Sequence, residues 1–172
     1  MSDNEFRSGF VCLVGRPNAG KSTLTNRIIG RKIAITSDRP QTTRRTVRGV
    51  LTRSDAQLIV VDTPGLHKPR TLLGERLNDL VRATWTEVDV IGFCLAANEE
   101  TGPGDRKLAA ELASIQRGPI IAVITKTDTA SPDEVAARLA SISELAAEVG
   151  LKVSEYVPVS AVTGDNVDVL VD

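Results

Sequence analysis

The stretch GRPNAGKS, Gly15 to Ser22, constrains the fold of this chain more than any other. It matches G-x-x-x-x-G-K-[ST] in full. It follows the apolar run FVCLV (10–14) and opens a helical pattern that stops at Gly30. A strand, a glycine-rich turn and a helix are the context that makes this pattern a phosphate site. Backbone N–H groups of such a loop point inward and cradle phosphate oxygens. Gly15 and Gly20 permit the close backbone approach. Lys21 is expected to reach the β and γ phosphates, and the Ser22 hydroxyl to ligate Mg2+. Asn18, Ala19 and Thr23 complete the set of nucleotide-contacting positions in the loop and the first helical turn.

The rest of the chain alternates short apolar runs with helical patterns. The runs are 10–14, 58–61 (LIVV), 90–96 (VIGFCLA), 120–124 (IIAVI) and 156–159 (YVPV). Continuous apolar strands suit a sheet covered on both faces. The clearest helix is 132–149. Ser131 and Glu134 form a capping box around Pro132, Val135, Leu139, Ile142, Leu145 and Val149 make one apolar stripe, and Gly150 stops it. Further helices are expected over about 105–117, with Leu108, Leu112 and Ile115 inward, and about 72–85. The more polar 46–53 suits an edge strand. The sum is a doubly wound α/β fold. A last helix begins near Asp165 or Asn166 and runs two turns, where a helix averages roughly 11–12 residues. The sequence is therefore expected to be cut from something longer.

Composition narrows the class. The 172 residues suit one domain with a sizeable core. Lys plus Arg is 21 against 22 Asp plus Glu, a net charge of −1, so the chain carries no overall electrostatic footprint for nucleic acid. Cys12 and Cys94 sit inside apolar runs and read as buried thiols of a reducing compartment. The N-terminus lacks an apolar signal core, and no run approaches the ~18 apolar residues of a membrane span. A cytoplasmic protein is expected.

Three further stretches carry chemistry. Asp62 ends an inner strand and fits the acidic residue of a Mg2+ shell. Gly65, in DTPG, can bring its N–H to a γ-phosphate and lose that partner on hydrolysis. In TKTD (Thr125 to Asp128), a carboxylate at Asp128 can accept from guanine N1–H and the 2-amino group. Adenine offers neither, so a buried Asp128 would be left unpaired by it. The Lys126 stem would lie along the base. Ser160 and Ala161 follow the last strand, and the Ala161 N–H would meet guanine O6. Each lies at a strand's C-terminal end, so they converge on one crevice.

The set GRPNAGKS, TTR, DTPG, TKTD and SA resembles the translation-factor-related GTPases. ITSDRPQTTR and DTPGLHKP resemble the Era family of bacterial ribosome-assembly GTPases most closely, over the whole chain. The resemblance implies a P-loop, Ras-like GTPase domain: three layers, with a mostly parallel sheet and one antiparallel edge strand. It implies GTP and GDP as ligands, Mg2+ held by Ser22, Thr43 and Asp62, and Thr43 as the switch threonine ahead of Thr42. It implies a switch in small-subunit assembly through 16S rRNA, with peripheral membrane association and a monomeric state as accompanying expectations. Two departures stand out. Thr125 replaces the usual Asn and cannot make both amide bonds. The family's C-terminal KH-type RNA-binding domain lies outside this sequence, so tight rRNA binding is not expected of residues 1–172 alone.

Leu66 stands where Ras-like enzymes place a water-orienting glutamine. It has no donor or acceptor. His67 reads as a partner contact or, less favoured, a general base, since the loose transition state needs charge and positioning more than a base. Related GTPases with GRPN use the asparagine to hold K+ beside the β and γ phosphates. Asn18 then supplies, with Lys21, Thr43 and Gly65, the catalytic set; the other reading is that Asn18 only shapes the loop. Arg39 as an internal finger is a further alternative. Slow intrinsic turnover is expected. Residues 31–53 carry Arg31, Lys32, Arg39, Arg44, Arg45, Arg48 and Arg53 against Asp38 alone. This is either a solvated face or a switch surface for RNA or protein phosphate. Rival readings are a tRNA-modification or double-domain ribosome GTPase, a non-hydrolysing GTP/GDP sensor, and an ATPase, which Asp128 opposes.

Overall fold

The computed structural model describes residues 5–30, 46–62 and 72–172. Strands β1 (Arg7–Val14), β2 (Thr46–Thr52), β3 (Ala56–Asp62), β4 (Val90–Ala96), β5 (Ile120–Thr125) and β6 (Val153–Pro158) form one sheet in the order β2-β3-β1-β4-β5-β6. All neighbours are parallel except β2, which pairs antiparallel with β3 at the edge. The expected mostly parallel sheet with one antiparallel edge strand is borne out. The helices are α1 (Lys21–Ile29), α2 (Leu72–Glu87), α3 (Pro103–Ile115), α4 (Pro132–Val149) and α5 (Val167–Val171).

Alternation along the inner strands feeds two cores. Cys12 and Val14, Phe93 and Leu95, and Ile120, Ala122 and Ile124 pack with α2, α3 and α4. Leu13, Cys94 and Val123 point the other way, onto Leu24 and Ile28 of α1 and Val167 of α5. Both faces of the inner strands are therefore apolar, which is why they read as unbroken runs. The α1–α5 side holds an apolar cleft of about 200 Å³, lined by Val11, Leu13, Ile28, Gly92, Ile121 and Leu170 among others.

Local signals set several boundaries. In α4 the Ser131 N–H donates to Glu134 Oε2 at 2.6 Å and Ser131 Oγ accepts from the Glu134 N–H at 3.3 Å. Gly150 closes the helix at φ 74°. Two expectations need correction. The 105–117 helix starts and ends two residues earlier, because Pro103 suits the first turn and the Asp105 carboxylate caps backward onto the Gly102 N–H at 3.0 Å. The 156–159 strand is instead β6, Val153–Pro158. An edge strand needs apolar residues on fewer positions, and Ser154, Glu155 and Tyr156 are exposed. Val159 lies past the strand yet is fully buried. Among the described residues, no helix is long and apolar enough to cross a membrane.

Cys12 and Cys94 are both free and buried, as their runs implied. Burial pushes the Cys12 thiol from 9.0 up to about 12, with Cys94 adding to it, and likewise pushes Cys94 up to about 12. The unfolded chain ionises both thiols above pH 9 while the folded chain does not. This stabilising difference is full below pH 9 and is lost as pH rises from 9 toward 12. Urea unfolding at pH 10 should give a stability lower than at pH 8 by on the order of 1 kcal/mol per thiol. A Cys12→Val/Cys94→Ala variant should lose that part of the pH dependence.

Candidate functional site

The strand order reverses at β1, whose neighbours β3 and β4 lead away in opposite directions. In an open α/β sheet this is where a ligand crevice opens, beyond the strands' C-terminal ends. Residues 15–20 turn there from β1 into α1. A Cβ on Gly15 would stand 2.5 Å from the Cys94 carbonyl oxygen, so only glycine lets the chain cross the end of β4. Asn18 (φ 64°) and Gly20 (φ 84°) are left-handed. The Ala19 N–H donates to the Arg16 carbonyl at 3.2 Å, and the Leu24 N–H to Gly20 at 2.9 Å. Lys21 folds back over the loop, its Nζ donating at 2.7 Å to the carbonyls of both Gly15 and Arg16. Ser22 and Thr23 are exposed in the first turn of α1, and Asn18 is exposed on the loop.

The base-reading candidates reach the same crevice. Thr125, 3% exposed at the end of β5, donates through Oγ1 to the Ala19 carbonyl at 2.6 Å. This hydroxyl ties β5 to the phosphate loop. Thr125 Oγ1 also lies 3.3 Å from where a Gly20 Cβ would stand, and Lys126 Cε 3.8 Å from it. Lys126 is itself left-handed at φ 59° and starts the 3-10 turn Thr127–Thr129 that holds Asp128. Ser160 is fully buried; its hydroxyl donates to Asp128 Oδ1 at 2.6 Å and accepts from the Thr163 N–H at 3.1 Å. Ala161 follows, half-buried. One expectation is corrected: Asp128 is exposed rather than buried, because it sits on a turn beyond the sheet. Its discrimination would come from the desolvation that a bound base brings.

Asp62 is the last residue of β3, directly across from Thr46 of β2 and on the strand next to β1. Thr42, Thr43, Gly65, Leu66, His67 and Arg39 lie outside the described residues, as do Arg31, Lys32, Arg44 and Arg45. Of the basic stretch, only Arg48 and Arg53 fall among the described residues. Pairing of Thr46 with Asp62 and Thr52 with Gln57 sends β2 away from the crevice, so Arg53 lies at the far end of the sheet. There it is ion-paired with Asp172, whose hydrogen bond raises the arginine's pKa.

Residues outside every motif also meet the loop. Arg16 Nε lies 3.1 Å from Asp105 Oδ1, and the same guanidinium pairs with Glu99. Asp105 in turn lies 3.8 Å from Arg138. Burial pulls the Arg138 pKa down, with Asp105 opposing. The one signal in the sequence was Arg138 itself, an arginine among the apolar stripe of α4.

Fold and loop together define a P-loop nucleotide-binding domain of the GTPase class. Residues 10–126 match the 50S ribosome-binding GTPase family, and the chain belongs to it. It is 64% identical over 166 residues to GTPase Era of Streptomyces coelicolor, covering 96% of this chain and 52% of that protein. Against GTPase Era of Mycobacterium leprae the identity is 58% over 170 residues, covering 98% and 55%. A crystal structure of Era in complex with MgGDPNP and nucleotides 1506–1542 of 16S ribosomal RNA superposes with a TM-score of 0.76. Identity there is 36%, over 97% of this chain and 55% of that one. The resemblance to Era is borne out, and the chain spans about half the length of these relatives.

Proposed function

We propose that this chain binds guanine nucleotides and hydrolyses GTP with Mg2+, as the switch domain of a cytoplasmic Era-type protein. As part of such a protein it acts on the small ribosomal subunit through 16S rRNA. The observation that carries the reading is the junction of two half-sites. Thr125 bonds to the phosphate loop, and three residues later Asp128 is held by Ser160, so a phosphate cradle and a guanine-reading carboxylate share one crevice. The Era structure with MgGDPNP and 16S rRNA supports both ligand classes. Competition with a fluorescent GDP analogue tests it: GDP and GTP displace the analogue, and ATP does not.

Lys21 and the loop N–H groups bind the phosphates and stabilise the charge that spreads over them as the γ-phosphoryl leaves. Ser22, in the first turn of α1, and Asp62, at the end of β3, would supply oxygen donors of the kind that suits the hard cation Mg2+. Thr43 and Gly65, outside the described residues, are the proposed γ-phosphate contacts that hydrolysis would remove. Asn18, exposed on the loop, would hold K+ through its amide oxygen, and the ion would supply fixed positive charge without a glutamine at Leu66. GTP turnover in K+ buffer is expected to exceed that in Na+ by about tenfold or more at equal ionic strength, a difference of ~1.4 kcal/mol in barrier. Equal rates remove K+ from the site and leave Asn18 a loop-shaping residue.

A further inference from the structure

The phosphate loop is gripped from outside by a carboxylate that belongs to none of the nucleotide motifs. Arg16, second in the loop, reaches across to the segment after β4, which holds Glu99, and to the first turn of α3, which holds Asp105. Its Nε meets Asp105 Oδ1 at 3.1 Å and its Nη2 meets Glu99. The two partners differ in kind. The Glu99 side chain is 36% exposed, and such a pair is screened by water. The Asp105 side chain is 3% exposed and held on all sides. Its Oδ2 accepts from the Gly102 N–H at 3.0 Å and lies 3.8 Å from Arg138 Nη2. Arg138 is fixed in turn by the Ala96 carbonyl at 3.1 Å and Thr101 Oγ1 at 2.6 Å. Two arginines and two carboxylates cancel in charge. Only Asp105 and Arg138 of the four are buried, and a buried pair of this kind is weak evidence for added stability.

The glycines of the socket are shaped around the arginine stem. A Cβ on Gly104 would stand 2.7 Å from Arg16 Cδ, and one on Gly102 would stand 3.2 Å from Nη1. The backbone of Arg16 faces the opposite task. Its carbonyl accepts from the Ala19 N–H and from Lys21 Nζ. A restraint on this one side chain is thus a restraint on the loop where Lys21 and Ala19 meet it.

We propose that Asp105 is a positioning residue for the phosphate loop: through Arg16 it holds residues 15–19 in the shape that retains nucleotide phosphates. This rests on the reading of the crevice as a guanine-nucleotide site. Asp105 touches no nucleotide; it acts on how fast nucleotide leaves.

The test uses residues 1–172, release of a fluorescent GDP analogue, GTP turnover at saturation, and thermal unfolding followed by the fluorescence of Trp85, the sole tryptophan. Asp105→Asn and Arg16→Gln should each speed release by about tenfold, ~1.4 kcal/mol. The double variant should release no faster than either single one, because both remove the same restraint. KM for GTP should rise more than kcat falls. Asp105→Asn also strands Arg138, and could fail to fold. Gly104→Ala leaves that pair alone, favours the helix and displaces only the Arg16 stem. It should keep or raise the unfolding temperature while speeding release severalfold. A purely structural carboxylate predicts the reverse pattern, with unfolding shifted and release unmoved. Wild-type release in Gly104→Ala and in folded Asp105→Asn, or additive effects in the double variant, overturns this inference alone. A wild-type chain that takes up no GDP analogue overturns the functional reading and this inference with it.

Discussion

Asp128→Asn lowers affinity for GDP and GTP by about a hundred- to a thousandfold and lets xanthosine nucleotides compete. Guanine presents two donors, N1–H and the 2-amino group, to the two carboxylate oxygens. The amide keeps one acceptor and turns an NH2 group toward a guanine donor. A charge-assisted hydrogen bond contributes about 1.5–3 kcal/mol, and the stranded donor costs about 1–3 kcal/mol more. Their sum, roughly 2.5–6 kcal/mol, brackets the ~2.7–4.1 kcal/mol that a hundred- to thousandfold loss represents. Xanthine carries an oxygen where guanine carries its 2-amino group, so the new NH2 finds an acceptor. The Ser160 hydroxyl, which donates to Asp128 Oδ1 at 2.6 Å, can serve the amide oxygen equally, so the turn stays in place. Competition by GDP, XDP and ATP against a fluorescent GDP analogue reads the outcome. Unchanged GDP affinity in this variant removes Asp128 from base reading.

Lys21→Met abolishes measurable turnover and weakens triphosphate binding by about a hundredfold or more. The substitution keeps the stem and removes the ammonium. A preorganised cationic donor at the transferring phosphate is of the kind whose loss costs about 2.7–4 kcal/mol, roughly 10²–10³ in rate. The fold should not follow. Lys21 Nζ donates to two loop carbonyls, Gly15 and Arg16, and water can serve those groups at a half-buried position. Unfolding followed by Trp85 should therefore shift little while nucleotide retention collapses. A variant that retains triphosphate and turns over normally would place the phosphates elsewhere.

These two effects are large because each residue is asked to meet a charge or a donor pair directly. Arg16 and Asp105 act one step back, and the expected effects are smaller. The alkaline loss from Cys12 and Cys94 belongs to the fold, since the two thiols lie on opposite faces of the sheet.

The local signals were complete where structure is made locally. A left-handed Gly20, the Ser131–Glu134 capping box and Gly150 each act within a few residues, so the start of α1 and both ends of α4 were legible. Apolar runs between helices sufficed for a covered parallel sheet, because both faces of the inner strands must be dry. The candidate residues of the crevice could be proposed from sequence for a related reason. Phosphate cradles and base-reading carboxylates need particular residue types at strand ends, whatever the rest of the chain does.

Register and long-range approach were not legible. The pairing of Thr46 with Asp62 carries Arg53 to the far end of the sheet, where it meets Asp172. The turn after β5 leaves Asp128 exposed, with Ser160 as its support. Arg16, Asp105 and Arg138 come from a loop and two helices, and only the packing of α3 against α4 and of the loop against α3 brings their charges together. The sequence by itself determined which chemical groups this protein has and which local turns present them, because those depend on neighbours a few residues apart. Only the tertiary structure decided which of them meet, because charge pairing and burial are properties of groups brought together across the sheet.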